Sequence, residues 1–599
     1  MSLLLPLLLL LSQTPGDPVP APSCPEGRIS HVFIDNHSIF DPETLPDDGR
    51  IRWAYDLANR LHMRTRESVI REELLVEEGE CFNLEAAQES ARILREFRFI
   101  AGADVFGVPQ PDGDTHVVVD TRDEWTTKVA MSVRFDGGLR FEGASVVEEN
   151  FLGRGASVGA FWLQKEERRS VGLLSEIPRV ARTNWDVGAS VAATRIGEEV
   201  DLVLVRPFQG ERAGTGLRQE IYHSRDLFNY VVPEGWGGDP EKNWTHVVLP
   251  VRERRVQLGM KRRMGDPGRF FTLGGGLSFE DVETGGAGRA EGILDGDFST
   301  RYPVDTDLTA PLEGQLQDRS AFRLNIMGGV RQIRFAERRG LDAVDGLQDL
   351  PLGREALFTV GRSLGSTGPD RPADVLTRLN LFRGGELGPI LSFASVTAES
   401  RRELGRGRTE GWRDGIGELQ TLNYWHPGGA GSPTILLRAA GQGAWRTDAP
   451  LQLTLGGPDG VRGYSETDIP GARRVVVSGE GRWQLPNPLD NLADLGMTVF
   501  GDVGRMWAGD APFGQSTGWR STLGAGLRVG FPAGSGSVIR IDVAVPMDGA
   551  VSRSPIIRVS AREWLGVLND TRSRQLLRSR RGGLSPDYSG VVRERRPPG

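Results

Sequence analysis

Met497-Thr-Val-Phe-Gly-Asp-Val-Gly504 alternates along its length: Met497, Val499 and Val503 share one face, and Thr498, Phe500 and Asp502 share the other. That is the two-residue period of a β-strand. Just upstream, Val475, Val477 and Trp483 oppose Ser478, Glu480, Arg482 and Gln484; downstream, Ile539, Ile541, Val543 and Val545 alternate with Arg540, Asp542 and Ala544. The period recurs far back in the chain. Phe322, Leu324 and Ile326 alternate with Arg323 and Asn325, and Val129, Met131, Val133 and Phe135 with Ala130, Ser132 and Arg134. Alternation does not by itself say whether the apolar face meets a dry core or lipid. The number of strands argues for lipid. Roughly sixteen candidates lie between Trp125 and Trp564, many longer than the ~5–6 residues of a soluble strand. The expected fold is mainly β, a transmembrane β-barrel over 126–564 whose apolar faces look outward.

Under that parity Glu480, Arg482 and Asp502 face the lumen. Between strands lies Gly456-Gly-Pro-Asp-Gly-Val-Arg-Gly-Tyr464, a glycine-rich loop carrying an isolated Arg462. A loop folded into the lumen would bring this arginine to carboxylates, where charge-assisted bonds are strong and directional. The bland alternative is a solvated loop arginine above carboxylates that merely line a wet lumen.

The N-terminal part differs in pattern. Leu3 to Leu11 is apolar but shorter than the ~20 residues of a membrane helix, and it fits the apolar region of a secretory signal over 1–21. Residues 28–123 are expected to form a small α+β domain. Its elements are a strand at Ile29 to Phe40, a helix at Ile51 to Leu61 with Trp53, Leu57 and Leu61 on one stripe, and a helix at Leu84 to Phe97 with Ala91, Leu94 and Phe97 on another. Strands at Phe99 to Val108 and Thr115 to Asp123 complete it, split by the turn Pro109-Gln-Pro-Asp-Gly113. The only two cysteines, Cys24 and Cys81, either pair across this domain or stay as thiols, or Cys24 leaves with the signal. Residues 565–599 are polar and rich in Arg, the composition of a disordered tail, and are expected in the periplasm.

Four segments together resemble one family. Val461-Arg-Gly-Tyr464 is similar to the loop-six motif of the outer-membrane assembly and secretion barrels typified by BamA, TamA and the two-partner secretion transporters (the bacterial surface antigen superfamily). Phe500-Gly-Asp-Val-Gly504 resembles their strand motif, Gly524-Ala-Gly-Leu-Arg528 with Ile539-Arg-Ile-Asp-Val543 resembles strands near their C-terminus, and Glu149-Asn-Phe-Leu-Gly-Arg-Gly155 resembles the motif after their first barrel strand. The resemblance implies a sixteen-stranded barrel preceded by periplasmic POTRA (polypeptide-transport-associated) domains, of which this chain has room for one. It also implies that Arg462 of Val461-Arg-Gly463-Tyr464 locks onto Asp502, with Glu480 and Phe500 at hand.

Other chemistries find little support. Gly155-Ala-Ser-Val-Gly159 and Gly361-Arg-Ser-Leu-Gly365 match the nucleophile-elbow pattern, but both lie in alternating sequence rather than at a strand-to-helix turn. The seven His are scattered, and no phosphate-binding loop occurs. A net charge of −8 gives no general signal for nucleic acid. The mean hydropathy of −0.31 suits a barrel, because only alternate residues meet lipid. The expected function is therefore non-enzymatic and cofactor-free: an outer-membrane protein that inserts or translocates polypeptides. Its partners would be extended or unfolded client polypeptides, outer-membrane lipid and periplasmic subunits. Clients would be received by β-augmentation on the first strand, at Val32 and Ile34. The alternatives are a non-transporting receptor, surface antigen or scaffold barrel, and a soluble secreted β protein.

Overall fold

The computed structural model describes residues 24–40, 52–135, 139–165, 168–236, 243–305, 309–313, 315–367, 372–404, 411–427, 432–457, 459–486, 492–548, 555–561, 574–577, 579 and 584–588. The expected signal at 1–21 lies outside them.

The N-terminal unit consists of β1 (Ile29–His37), α1 (Arg52–Leu61), α2 (Glu67–Glu73), α3 (Leu84–Arg95), β2 (Ile100–Pro109) and β3 (Thr115–Asp123). Its sheet runs β1-β3-β2, with β1 parallel and β2 antiparallel to β3. α3 starts where Asn83 accepts a hydrogen bond from the Ala86 amide, satisfying one donor of the first turn. It buries Ala87, Ala91 and Leu94 beside Phe97, Phe99, Val117 and Val119. The stripe expected on α3 is thus the one that packs. On α1 the expectation fails at Trp53, which is exposed, while Tyr55 is buried against Phe40; the side chains of Leu57 and Leu61 lie outside the described residues. α2 is an additional helix. Seven residues are too few to repeat a stripe, and the helix buries Ile70 in the core with Val69 packed against its edge.

From Thr127–Phe135 to Ile556–Ala561 each barrel strand is antiparallel to the next, and the last pairs with the first through Ile557–Phe135 and Arg558–Arg134. Among the described residues the ring holds 20 strands rather than the expected sixteen, with Glu291–Leu294 and Tyr302–Pro303 added beside the strand Trp244–Asp266. Very short turns make part of this difference hard to read from sequence. Strands Trp244–Asp266 and Arg269–Glu283 are separated by Pro267-Gly268 alone, and Asp374–Leu387 and Ile390–Glu403 by Gly388-Pro389. Two-residue hairpin turns barely interrupt an alternating pattern.

The wall is inverted relative to a soluble protein. Ile539, Ile541, Val543 and Val545 are 39–45% exposed, whereas Arg540 and Asp542 are 5% and 8% exposed. Phe322, Leu324 and Ile326 face out while Arg323 and Asn325 are fully buried. An apolar exterior around a polar interior is the arrangement that lipid demands and water penalises. Trp412 and Trp425, both exposed, close the two ends of one strand. At ~3.3 Å per residue and a tilt of ~45° they stand about 30 Å apart in height, the spacing of aromatic girdles on a bilayer. No helix among the described residues is long and apolar enough to cross a membrane, which leaves open a crossing by strands.

The N-terminal unit docks on one rim. Asn150 donates to the Met63 carbonyl and the Thr65 hydroxyl (3.1 and 2.8 Å), and the Arg66 amide donates to the Gly153 carbonyl at 2.9 Å. Gly153 (φ +69°) lies so close to the Arg64 carbonyl, and Gly155 (φ +66°) to the Phe99 ring, that neither position admits a side chain. The segment Glu149 to Gly155 is therefore the joint between the two units. Arg95 reaches Asp349 and Glu337 on the same rim.

One expectation is overturned outright. The described part of 565–599 is not a tail in the periplasm; it lies inside the barrel. Leu576 packs among Val461, Leu453 and Met506, and Leu584 and Tyr588 pack with Phe208 and Met327. Polar composition prevents a segment from building its own core. A polar lumen supplies hydrogen-bonding partners that bulk water otherwise provides.

Candidate functional site: an arginine held in the barrel lumen

The connection 446–472 leaves the rim opposite the N-terminal unit and turns back into the barrel. Leu453–Thr454 pairs with Pro470–Gly471 to form its neck. Within the loop the Val461 amide donates to the Leu455 carbonyl at 2.9 Å and the Tyr464 amide to the Val461 carbonyl at 3.1 Å. Val461 and Tyr464 are buried with Leu451, Leu455, Val476 and Met506. Two glycines make this seat. A Cβ on Gly504 would stand 2.6 Å from Val461 Cγ2, and one on Gly463 would stand 2.6 Å from Thr522 Oγ1.

Between these anchors Arg462 points at the wall. Its Nε and Nη2 donate to the two oxygens of Asp502 at 2.9 and 2.8 Å, and Nη1 donates to Glu480 Oε2 at 3.0 Å. Its own amide also donates to Asp502, at 3.0 Å. The central carbon of the guanidinium lies over the Phe500 ring, 3.4 Å from its centre. Phe500 in turn rests on Gly524, where any Cβ would collide with the ring. The sandwich Gly524–Phe500–Arg462 uses the planarity of guanidinium as well as its charge, which an ammonium cannot reproduce. The structure thus brings together Val461, Arg462, Gly463, Tyr464, Glu480, Phe500 and Asp502.

Arg540, Asp342 and Tyr424 were not assigned to the site from the sequence. Glu480 also accepts from Arg482 (2.7 Å) and Arg540 (3.1 Å), and Arg482 donates to Asp342 at 2.9 Å. Asp342 further accepts from the Tyr424 hydroxyl at 2.8 Å. The chain Arg462–Glu480–Arg482–Asp342 therefore runs from the inserted loop to the 340–346 turn, on the rim that carries the N-terminal unit. Arg540 was detectable, since it holds a lumen position in an alternating strand. Asp342 was not, because a turn has no parity.

The remaining candidate residues lie elsewhere. Cys24 and Cys81 form a disulfide that ties the chain entry to the segment before α3. Val32 and Ile34 turn their side chains toward the domain core. The Val32 amide donates to Glu78 Oε1 at 3.0 Å, and its carbonyl accepts from Arg71 at 3.3 Å. The strand edge is thus covered by side chains at Val32.

The sequence profile of the Omp85 superfamily domain matches residues 439–553. No curated protein sequence matches the chain. Among solved structures the chain is similar to CdiB from Escherichia coli, at 14% identity over 89% of this chain and 76% of that one, with a TM-score of 0.44. It is similar to CdiB from Acinetobacter baumannii at 12% identity over 89% and 73%, TM-score 0.37. It is also similar to BamA from Haemophilus ducreyi lacking POTRA domains 1–3, at 12% identity over 90% and 85%, TM-score 0.35. The segment that holds Arg462, Glu480 and Asp502 thus lies within the match to the Omp85 superfamily domain.

Proposed function

We propose that this protein inserts or translocates polypeptides at the bacterial outer membrane, without enzymatic chemistry of its own. The observation that carries the reading is the buried Arg462, held by Asp502 and Glu480 within the Omp85 domain. Fixing one loop in the lumen with this many charge-assisted bonds makes sense where the lumen's shape matters to what passes. The N-terminal unit acts as a single POTRA-like domain facing the periplasm. Clients join the outer side of β1 by β-augmentation, displacing Glu78 and Arg71 from Val32 and extending past Ile34.

The test is made in the producing cell. Arg462→Ala reaches the outer membrane in the normal amount, while the polypeptides that depend on the protein disappear from the outer membrane or the medium. An unchanged outer-membrane and secreted protein profile in a strain carrying only the variant refutes the reading and favours a receptor or scaffold.

A further inference from the structure

Residues 584–588 lie along the inner wall, and the wall meets them through their main chain. Arg378 Nη1 donates to the Leu584 carbonyl (3.2 Å), Lys261 Nζ to the Pro586 carbonyl (2.9 Å) and Arg218 Nη1 to the Asp587 carbonyl (3.5 Å). The Phe208 amide donates to the Tyr588 carbonyl at 3.3 Å, and the Ser585 amide donates to Gln257 Oε1 at 2.8 Å. Four carbonyls and one amide of five consecutive residues are thus read by the barrel. Every peptide offers the same groups whatever its side chains.

The wall also leaves room for a chain. On two adjacent strands Gly216 stands opposite Lys261 and Arg218 opposite Gly259, so glycines and cations alternate across the pair. A Cβ on Gly216 would be 3.0 Å from the Tyr588 ring, and one on Gly259 would run into the Tyr588 hydroxyl and come within 3.3 Å of Leu584. The cations grip the main chain and the glycines accept side chains between them. Farther along, Gln575 bonds Thr454 (2.8 and 3.1 Å), Ser579 bonds the Pro450 carbonyl (2.6 Å), and Leu576 joins the cluster of Val461 and Tyr464. The same segment touches the loop that Arg462 holds.

We infer that Phe208, Arg218, Gln257, Lys261 and Arg378 form a lumen track for the main chain of an extended polypeptide, occupied in this chain by its own residues 584–588. The proposal rests on the polypeptide-transfer reading above and deepens it. The track is the luminal client site, and the C-terminal segment competes for it until a client arrives.

Planar-bilayer recording of the purified full-length protein tests this without any client. Truncation after residue 573 raises single-channel conductance several-fold, and so does Gly259→Met in the full chain, where the tail remains attached but loses its seat. Either variant suffices if the other does not fold. Added peptide 574–588 blocks the truncated channel, and a scrambled peptide of the same composition blocks it at a similar concentration. Lys261→Gln with Arg378→Gln raises both blocking concentrations at least tenfold, as expected for lost charged hydrogen bonds. Unchanged conductance in both variants, or block by the native order alone, overturns the proposal. Because the readout needs no client, a normal Arg462→Ala secretome alongside sequence-independent block would refute the transfer reading and leave the track standing.

Discussion

The lumen holds two inserted segments on opposite principles. The 446–472 loop is fixed by a side chain: Arg462 meets two carboxylates and an aromatic face, all at set positions in two neighbouring strands. Residues 584–588 are fixed by carbonyls and an amide on wall groups, with Leu584 and Tyr588 filling space. The first arrangement accepts one residue at one place. The second accepts many sequences in one conformation. A permanent part of the barrel calls for the former and an exchangeable occupant for the latter.

The contrast is sharpest in thermal unfolding of the folded barrel, followed by heat-modifiable gel migration. Arg462→Ala strands Asp502 as a buried carboxylate, and Asp502→Ala leaves Arg462 with Glu480 as the carboxylate it bonds directly. Each should cost about 3–5 kcal/mol, as for breaking a buried pair from one side. The double variant should cost clearly less than the two losses added, with a coupling of up to about 3 kcal/mol. Additive losses would mean that the two residues act separately. Tail variants should leave the barrel's unfolding temperature nearly unchanged.

Gly524→Val comes next. Its Cβ pushes Phe500 into Arg462, an overpacking expected to cost about 1–3 kcal/mol. The gel midpoint should fall, and Phe500→Leu in the same chain should restore part of it. A neutral Gly524→Val would show that the Phe500 ring is free to move and that the sandwich does not hold the loop.

Tyr588→Ala separates the regions from the other side. It removes the ring seated on Gly216 and Gly259, so amide exchange at 584–588 should quicken by an order of magnitude or more, a loss of ~1.4 kcal/mol or greater. Exchange at 453–464 should hardly change. Equal quickening in both segments would show that loop and tail are one unit.

The smallest expected effect lies at the joint. Glu124 is buried just before the first barrel strand, and burial raises its carboxyl above the usual range, opposed by Lys128 and Ser535. A raised folded-state pKa means that the cost of the charge is full above that pKa and is relieved as the pH falls through it. Glu124→Gln should therefore make joint stability less dependent on pH, raising it slightly at neutral pH, as read by hydrogen exchange at 149–155. A steeper pH dependence in the variant would contradict the assignment.

The same contrast explains what the sequence disclosed. The lock was legible because side-chain recognition needs particular residues at particular parities: Arg462 in a glycine loop, Glu480 and Asp502 on lumen faces. The glycines of those motifs have local reasons too, since Gly504 seats Val461 and Gly524 seats Phe500. The tail was misread because main-chain recognition leaves no residue signature, and a polar segment suits a polar lumen as well as water. Strand number is hard to read where turns as short as Pro267-Gly268 and Gly388-Pro389 separate neighbouring strands. The covered β1 edge at Val32 was illegible because Glu78 and Arg71 come from a separate stretch of chain.

The account's central claim is that the Arg462 lock serves polypeptide transfer. Its most direct test uses lipid vesicles carrying equal amounts of the folded full-length protein or of Arg462→Ala, with an unfolded β-barrel polypeptide added on the side of the N-terminal unit. Transfer is read as polypeptide that becomes heat-modifiable in the bilayer or protease-protected inside the vesicle. The account predicts rapid transfer by the native chain and at least a tenfold loss in the variant. Equal transfer by both, or none by the native chain beyond empty vesicles, would contradict it.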